Sequence, residues 1–293
     1  MLELNGVTKL YRTGTFGGTQ LVAVSDVSFA IERGEVVSLI GESGSGKSTV
    51  GRMILRLTNI SAGTITFDGQ DVSTLGRRQL RAYYSNVQGV FQDPFSSYNP
   101  VFKVDRVFEM IRANYLRDLG RNEWGTKLRT SLEAVGLEPG DILGKFPHQL
   151  SGGQLQRVLI ARALLLEIRY LVADEIISML DASTRIDVLN LLGDLKARGL
   201  GILFVTHDLS LGNYISDRTM ILRRGVVVEM GATEKVFGNP VHPYTKMLLA
   251  SVPQLTEKWQ ARNGSGAAAA GVSELDSQGT TLVEVEKGHF VVS

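Results

Sequence analysis

Residues 41 to 48 read GESGSGKS, the spacing G-x-x-x-x-G-K-[ST], and each residue type in it has work to do at a phosphate. Small residues let consecutive backbone N–H groups curl around phosphate oxygens, and a helix that follows turns its positive N-terminal end to the same anion. On this reading Lys47 reaches the β- and γ-phosphates and the Ser48 hydroxyl binds Mg²⁺, while Gly41, Ser43, Gly44, Ser45, Gly46 and Thr49 complete the cradle. The loop implies a nucleoside triphosphate and leaves kinases, GTPases, helicases and transport ATPases open. A second candidate lies in YLVADEIISMLD, residues 170 to 181, where an apolar run ends in adjacent acids, Asp174 and Glu175. At the carboxyl end of a parallel strand two such acids can divide the labour, Asp174 holding magnesium or its waters and Glu175 orienting and deprotonating an attacking water. An exposed Asp-Glu pair at a strand end is also common, so the acids alone leave both readings open.

These residues need elements to position them. EVVSLIGESGSGKSTVGRMILRL reads as strand, glycine loop and amphipathic helix, the order of a nucleotide-binding α/β unit. Before it, LELNGVTKLY and VAVSDVSFAIERGE alternate as strands around the loop RTGTFGGTQ, and after it GTITFDGQDV reads as a hairpin. FQDPFSSYNP has the Pro, Ser and Asn content of an exposed loop. From about Val104 to Gly136 the recurrence of Val107, Phe108, Ile111, Tyr115 and Leu119 predicts helix, and we read about residues 95–150 as a helical insert. From His148 onward LSGGQLQRVLIARALLL (helix), RYLVADE (strand), ASTRIDVLNLLGDLKARG (helix with Val188, Leu191, Leu192 and Leu195 on one face) and GILFVTHD (strand) alternate. Continuous apolar strands separated by helices imply a parallel sheet covered on both faces. Past residue 229 the chain reads as irregular, about 261–275 as a flexible linker, and TTLVEVEKGHFVVS as a segment able to return and pair as a strand.

Composition narrows the classes. With 293 residues, 43% of them hydrophobic, the chain can bury a large core in one or two domains. Lys+Arg is 31 against 30 Asp+Glu, so no basic excess points to nucleic acid or an anionic membrane surface. There is no cysteine, which excludes disulfides, thiolate metal sites, Cys-ligated iron–sulfur clusters and a cysteine nucleophile. No apolar run approaches the ~18 residues of a membrane span, and the first residues lack an apolar signal core, so a membrane role is expected to come through a partner.

LSGGQLQR, residues 150 to 157 and just upstream of the acids, carries a resemblance. Together with the phosphate loop and the acid pair, it resembles the nucleotide-binding subunits of ATP-binding cassette (ABC) transporters over roughly residues 1 to 255. The family's signature motif LSGGQ stands intact, a second helix N-terminus with free amides and a Ser hydroxyl. The resemblance implies an α/β fold: a P-loop domain with a mainly parallel central sheet, an antiparallel β subdomain and a helical insert. It implies a cassette over 1–235 and a C-terminal family extension over 236–293. ATP and Mg²⁺ are the implied ligands, with two cassettes paired head to tail so that Ser151, Gly152, Gly153 and Gln154 of one face the ATP on the other's Lys47 loop. It further implies that Tyr11 stacks on adenine, Gln92 contacts magnesium and water and relays nucleotide state, Asp181 speaks across the dimer, and His207 contacts the γ-phosphate. Family members commonly carry proline after the catalytic glutamate; Ile176 stands there, leaving that turn less constrained.

FQDPFSSYNP, VADE and FGNPVHPYTKMLLASVP together resemble the oligopeptide, dipeptide and nickel importer branch. That implies an ATPase at the cytoplasmic face of the cell membrane, held there by two permease subunits gripped near Gln92, Phe95 and Tyr98. A second ATPase copy or paralogue and, indirectly, an extracellular solute-binding protein complete the implied assembly. Peptides, oligosaccharides and nickel all remain possible cargo. A soluble cassette protein acting on nucleic acid or ribosomes is the competing reading; near-neutral charge and the lack of heptads weigh against it. A small-molecule kinase would leave LSGGQ and His207 without a task.

Overall fold

The computed structural model describes residues 1–13, 19–251 and 281–292. The N-terminal alternating segments form strands β1 (Leu2–Thr13) and β2 (Thr19–Ile31), followed by β3 (Val36–Ile40), helix α1 (Lys47–Ile54), β4 (Ala62–Phe67) and β5 (Gln70–Asp71). Next come α2 (Arg77–Tyr84), β6 (Val87–Val90), α3 (Asp105–Tyr115), α4 (Arg121–Glu133), α5 (Pro139–Ile142) and α6 (Gly152–Leu164). The second half runs β7 (Tyr170–Asp174), α7 (Ala182–Ala197), β8 (Gly201–Thr206), α8 (Leu209–Ile215), β9 (Arg218–Arg223), β10 (Val226–Ala232), α9 (Thr233–Gly238), α10 (Pro243–Ala250), β11 (Leu282–Glu286) and β12 (His289–Val292).

The strands build two sheets. An antiparallel sheet has the order β2-β1-β4-β5, and an eight-stranded sheet the order β11-β12-β10-β9-β3-β8-β7-β6. In the larger sheet β6, β7, β8, β3 and β9 run parallel, while β10, β12 and β11 add antiparallel strands along one side. Every residue of β3, β7 and β8 is buried, as expected of strands covered on both faces. One large core fills the space between the sheet, the helical insert, α6 and α7; a second lies between the two sheets around α1. A small third core joins Ile40, at the end of β3, to Val236, Tyr244 and Val292.

Most expected elements are present, with some corrections. The chain past residue 229 is not irregular: β10 continues to Ala232, and α9 and α10 follow. Pro243 sits at the first turn of α10, where its missing N–H costs nothing, and the His242 side chain caps the helix by accepting from the Tyr244 N–H. The stretch from Val104 to Gly136 is largely helical as expected, as two helices: α3 ends at Leu116 and α4 starts beyond Gly120. TTLVEVEKGHFVVS does return, as the hairpin β11–β12, with β12 pairing antiparallel to β10 through Glu229, Met230 and Gly231. Part of the expected N-terminal loop is strand, since Arg12 and Thr13 pair with Gln20 and Thr19. The linker expected at 261–275 lies outside the described residues, and the boundary expected at 235/236 falls within α9.

Candidate active site

Register brings the chemistry together. Ile40 of β3 sits beside Thr206 of β8, and Asp174 of β7 beside Val205, so the segments leaving these strands emerge on one edge of the sheet. The phosphate-loop sequence, Asp174-Glu175 and His207 therefore converge although they are far apart in the chain. Gln92 follows the edge strand β6, whose Val90 pairs with Ala173, which carries it to the same side as an exposed residue.

The loop itself wraps tightly. Gly46 has φ +107°, and a Cβ there would meet the Ala23 carbonyl oxygen at 2.4 Å, so only glycine fits where the loop turns into α1. Lys47 is buried and donates from Nζ to the carbonyls of Gly41 (2.7 Å) and Glu42 (2.8 Å). Burial pushes its ammonium pKa down, against the opposing pull of Glu175, Asp174 and Glu42. The Ser45 hydroxyl is buried in the loop with no hydrogen-bond partner, an orphaned polar group in the position an anion would use. The Ser48 hydroxyl donates to Asp174 Oδ1 at 3.0 Å, pairing two hard oxygen ligands of the kind Mg²⁺ takes together with phosphate oxygens. Burial raises the Asp174 carboxyl pKa above its ordinary value, the Ser48 hydrogen bond opposing. Among the described residues no group of three or more His, Asp or Glu is arranged to hold a metal ion.

Glu175 occupies the left-handed region at φ +51°, rare for a residue with a Cβ, with its N–H bonded to the Val205 carbonyl at 2.9 Å. Its Oε1 lies 3.4 Å from His207 Nδ1, and both line a cavity of about 400 Å³ with Gly41, Glu42, Ser43, Leu209 and Leu248. The two isoleucines after the acids are core residues: Ile176 and Ile177 are 1% and 2% exposed and pack into the large core with Leu150, Leu155 and Leu180. The turn that proline would stiffen is anchored instead by burial.

The signature segment stands apart from this cluster. Ser151 caps α6 in a reciprocal box, its hydroxyl accepting from the Gln154 N–H (3.2 Å) and its own N–H donating to Gln154 Oε1 (2.9 Å). A Cβ on Gly153 would meet Thr184 Cγ2 at 2.5 Å, so α6 and α7 approach as closely as they do because residue 153 lacks one. Asp181 is the cap of α7: it accepts from the Thr184 N–H (3.0 Å) and from the hydroxyls of Thr184 (2.8 Å) and Ser183 (2.6 Å). Those bonds hold its carboxyl far below the usual carboxylate range. Residues 151–154 and 181 thus form one unit through Thr184, and the hydrogen bonds described for Ser151 and Asp181 stay within the two caps. Tyr11 is half-buried in β1 opposite Leu21, with Lys9 Nζ 4.9 Å from its ring centre.

Four further participants were given no role by motif and spacing. Gln156, fully buried on α6, donates to the carbonyl of Phe91, tying the signature helix to the residue before Gln92. Thr184 joins the two caps. Tyr244 and Leu248 of α10 reach the phosphate loop. Tyr244 and Leu248 lie in FGNPVHPYTKMLLASVP, the segment that carries the branch resemblance, though no role was attached to either; nothing local marks Gln156 or Thr184.

A phosphate-type loop entering a helix, beside two acids and a histidine on the carboxyl edge of a parallel sheet, defines a nucleoside triphosphatase of the P-loop class. Within that class the chain belongs to the ABC transporter family and is one of its ATP-binding subunits: the ABC transporter family model matches residues 24–178, and the oligopeptide/dipeptide transporter C-terminal region matches residues 228–279. It is 40% identical over 295 residues to the oligopeptide transport ATP-binding protein OppF of Streptococcus mutans, covering 100% of this chain and 94% of that one. It is 41% identical over 297 residues to the dipeptide transport ATP-binding protein DppF of Lactococcus lactis, with the same coverage. Among solved structures, a dimeric ATP-binding cassette in a post-hydrolysis state bound to ADP and Pi superposes with TM-score 0.70 at 30% identity, covering 80% of this chain and 99% of that one. The chain is accordingly an ATPase of the cassette type.

Proposed function

We propose that this chain is the ATPase subunit of an importer that moves oligopeptides or dipeptides through two partner permeases, at the cytoplasmic face of the membrane. The observation that carries the enzymatic part is the contact of Glu175 with His207 on the sheet edge that also holds Lys47 and the Ser48–Asp174 pair. In this reading Glu175 takes the proton of the attacking water, His207 meets the γ-phosphate, and Lys47 exchanges its two carbonyl partners for phosphate oxygens. Mg²⁺, held by Ser48, Asp174 and Gln92, would neutralise charge on the β- and γ-phosphates. Tyr11 stacks on adenine. Because residues 151–154 and 181 lie together but away from the loop, they serve the ATP of a second cassette, either another copy or a paralogue, placed head to tail. An extracellular solute-binding protein delivers the cargo. The peptide reading is supported by the C-terminal region match and by the names of the relatives, and oligosaccharide is the cargo that the test must separate from it.

Glu175→Gln tests the catalytic assignment. Hydrolysis is expected to fall at least about a hundredfold while ATP still drives dimerisation, as measured by phosphate release and light scattering. Normal turnover would remove Glu175 from the base role. Reconstitution with the permeases in vesicles tests the cargo, with uptake of labelled dipeptides and oligopeptides but not oligosaccharides expected.

A further inference from the structure

The branch-specific extension touches the phosphate loop directly. The Glu42 N–H donates to the Tyr244 hydroxyl at 3.4 Å, and Leu248, one turn further along α10, lines the same cavity as Gly41, Glu42, Ser43, Glu175 and His207. Tyr244 is 1% exposed and its ring lies under the Arg223 guanidinium, 5.1 Å from centre to Cζ, in the small core that also holds Ile40, the last residue before the loop. Tyr244 is itself fixed from behind. The Val241 and His242 N–H groups donate to the two oxygens of the buried Glu229 carboxylate (2.8 and 3.0 Å), and His289 of β12 contacts the same carboxylate at 2.8 Å. A continuous series of bonds therefore runs from the hairpin β11–β12, through β10 and the start of α10, to the loop.

We propose that Tyr244 is a positioning residue for ATP, holding the entrance of the phosphate loop in its binding shape from the C-terminal extension. The Glu42 peptide is where the two systems meet. Its N–H is held by Tyr244, while its carbonyl accepts from Lys47 Nζ and from the Ser45 N–H (3.2 Å). When Lys47 turns its ammonium to a phosphate it releases that carbonyl, and the loop loses one of its own restraints at the moment it must keep its shape. The Tyr244 hydroxyl is a restraint that survives the exchange. It preorganises the loop without touching the nucleotide, so it governs how tightly ATP binds rather than how fast the bound molecule is cleaved.

The test is Tyr244→Phe in the full chain, which keeps the ring, its packing and the Arg223 contact and removes only the hydroxyl. The Kd for ATP measured calorimetrically in EDTA, and the KM for ATP hydrolysis, are each expected to rise about threefold to tenfold, the effect of one hydrogen bond, with kcat unchanged within about twofold. Hydrogen exchange at the Glu42 amide should accelerate in the variant without nucleotide, while its melting temperature stays that of the wild type. Unchanged affinity and exchange would overturn the proposal, as would a loss of binding that tracks a drop in folded fraction. The outcome is separable from the reading of the active site: a wild-type chain that binds no ATP defeats both, whereas an active wild type with an indifferent Tyr244→Phe defeats the tether alone.

Discussion

Glu175 sits at φ +51°, a conformation that costs a residue with a Cβ on the order of 1 kcal/mol, and the next residue decides whether it can be held there. A proline at 176 would drive Glu175 toward extended backbone and remove the packing of an isoleucine that is 1% exposed. Ile176→Pro, although it restores the residue common in the family, is therefore expected to lower stability by about 2 kcal/mol in urea unfolding. Equal or greater stability would show that the core does not depend on Ile176. Asp174 gives a second expectation with the opposite sign. Its carboxyl pKa is raised by burial, so above the ordinary value of 3.8 the folded chain binds more protons at this site than the unfolded chain, and the site destabilises the fold increasingly as pH rises through the shifted value. Asp174→Asn should then raise the nucleotide-free melting temperature, with a gain that grows with pH across that window, while abolishing Mg²⁺-dependent hydrolysis. A variant less stable than the wild type at neutral pH would contradict this account. The phosphate loop and the acids were legible in the sequence because each is a local run whose spacing does the chemistry. Tyr244 and Leu248 were visible only as members of the segment FGNPVHPYTKMLLASVP, and Thr184 not at all, because their contacts to the site are tertiary and leave no periodicity or spacing behind.

At the scale of elements, the caps of α6 and α7 behave as one joint. Ser151→Ala removes the side chain that accepts from the Gln154 N–H and is expected to cost about 1 kcal/mol in the isolated chain, apart from any effect on dimerisation. Gly153→Ala should cost more, because the added methyl meets Thr184, whose hydroxyl is bonded to Asp181, so both caps are disturbed at once. Denaturation of the two variants separates these cases; equal costs would mean that Thr184 yields freely. Other elements were concealed by the sequence pattern. The apolar series through Val107, Ile111, Tyr115 and Leu119 continues across the gap between α3 and α4, so periodicity alone joins two helices that Gly120 divides. Helices α9 and α10 span Thr233–Gly238 and Pro243–Ala250, too short to establish a 3.6-residue period, and the prolines around them suggested loop. Strands β3, β7 and β8 were plain because burial on both faces makes them continuously apolar.

Across the whole molecule, the Glu229 carboxylate is the point where the extension is locked to the cassette. Both Glu229 and His289 side chains are 0% exposed, so His289→Ala leaves a buried carboxylate short of a partner, and a loss of roughly 3 kcal/mol is expected. Chemical unfolding measures it; a loss near zero would mean that the Val241 and His242 N–H groups satisfy Glu229 unaided. The hairpin that supplies His289 meets β10 through backbone pairs and the Glu229 contact, α9 through Lys235 with Glu286 and Lys287, and α10 through the small core that Val292 shares with Tyr244. Nothing in that contact distinguishes a hairpin of the same chain from one of a neighbouring copy. Once the hairpin detaches, exchange between two copies restores every bond in a symmetric, reciprocal pair, at a ratio set by protein concentration against the effective concentration of the tethered hairpin. Refolding at high concentration is thus expected to yield a domain-swapped dimer with both ATP loops intact, distinct from the head-to-tail dimer that ATP brings together.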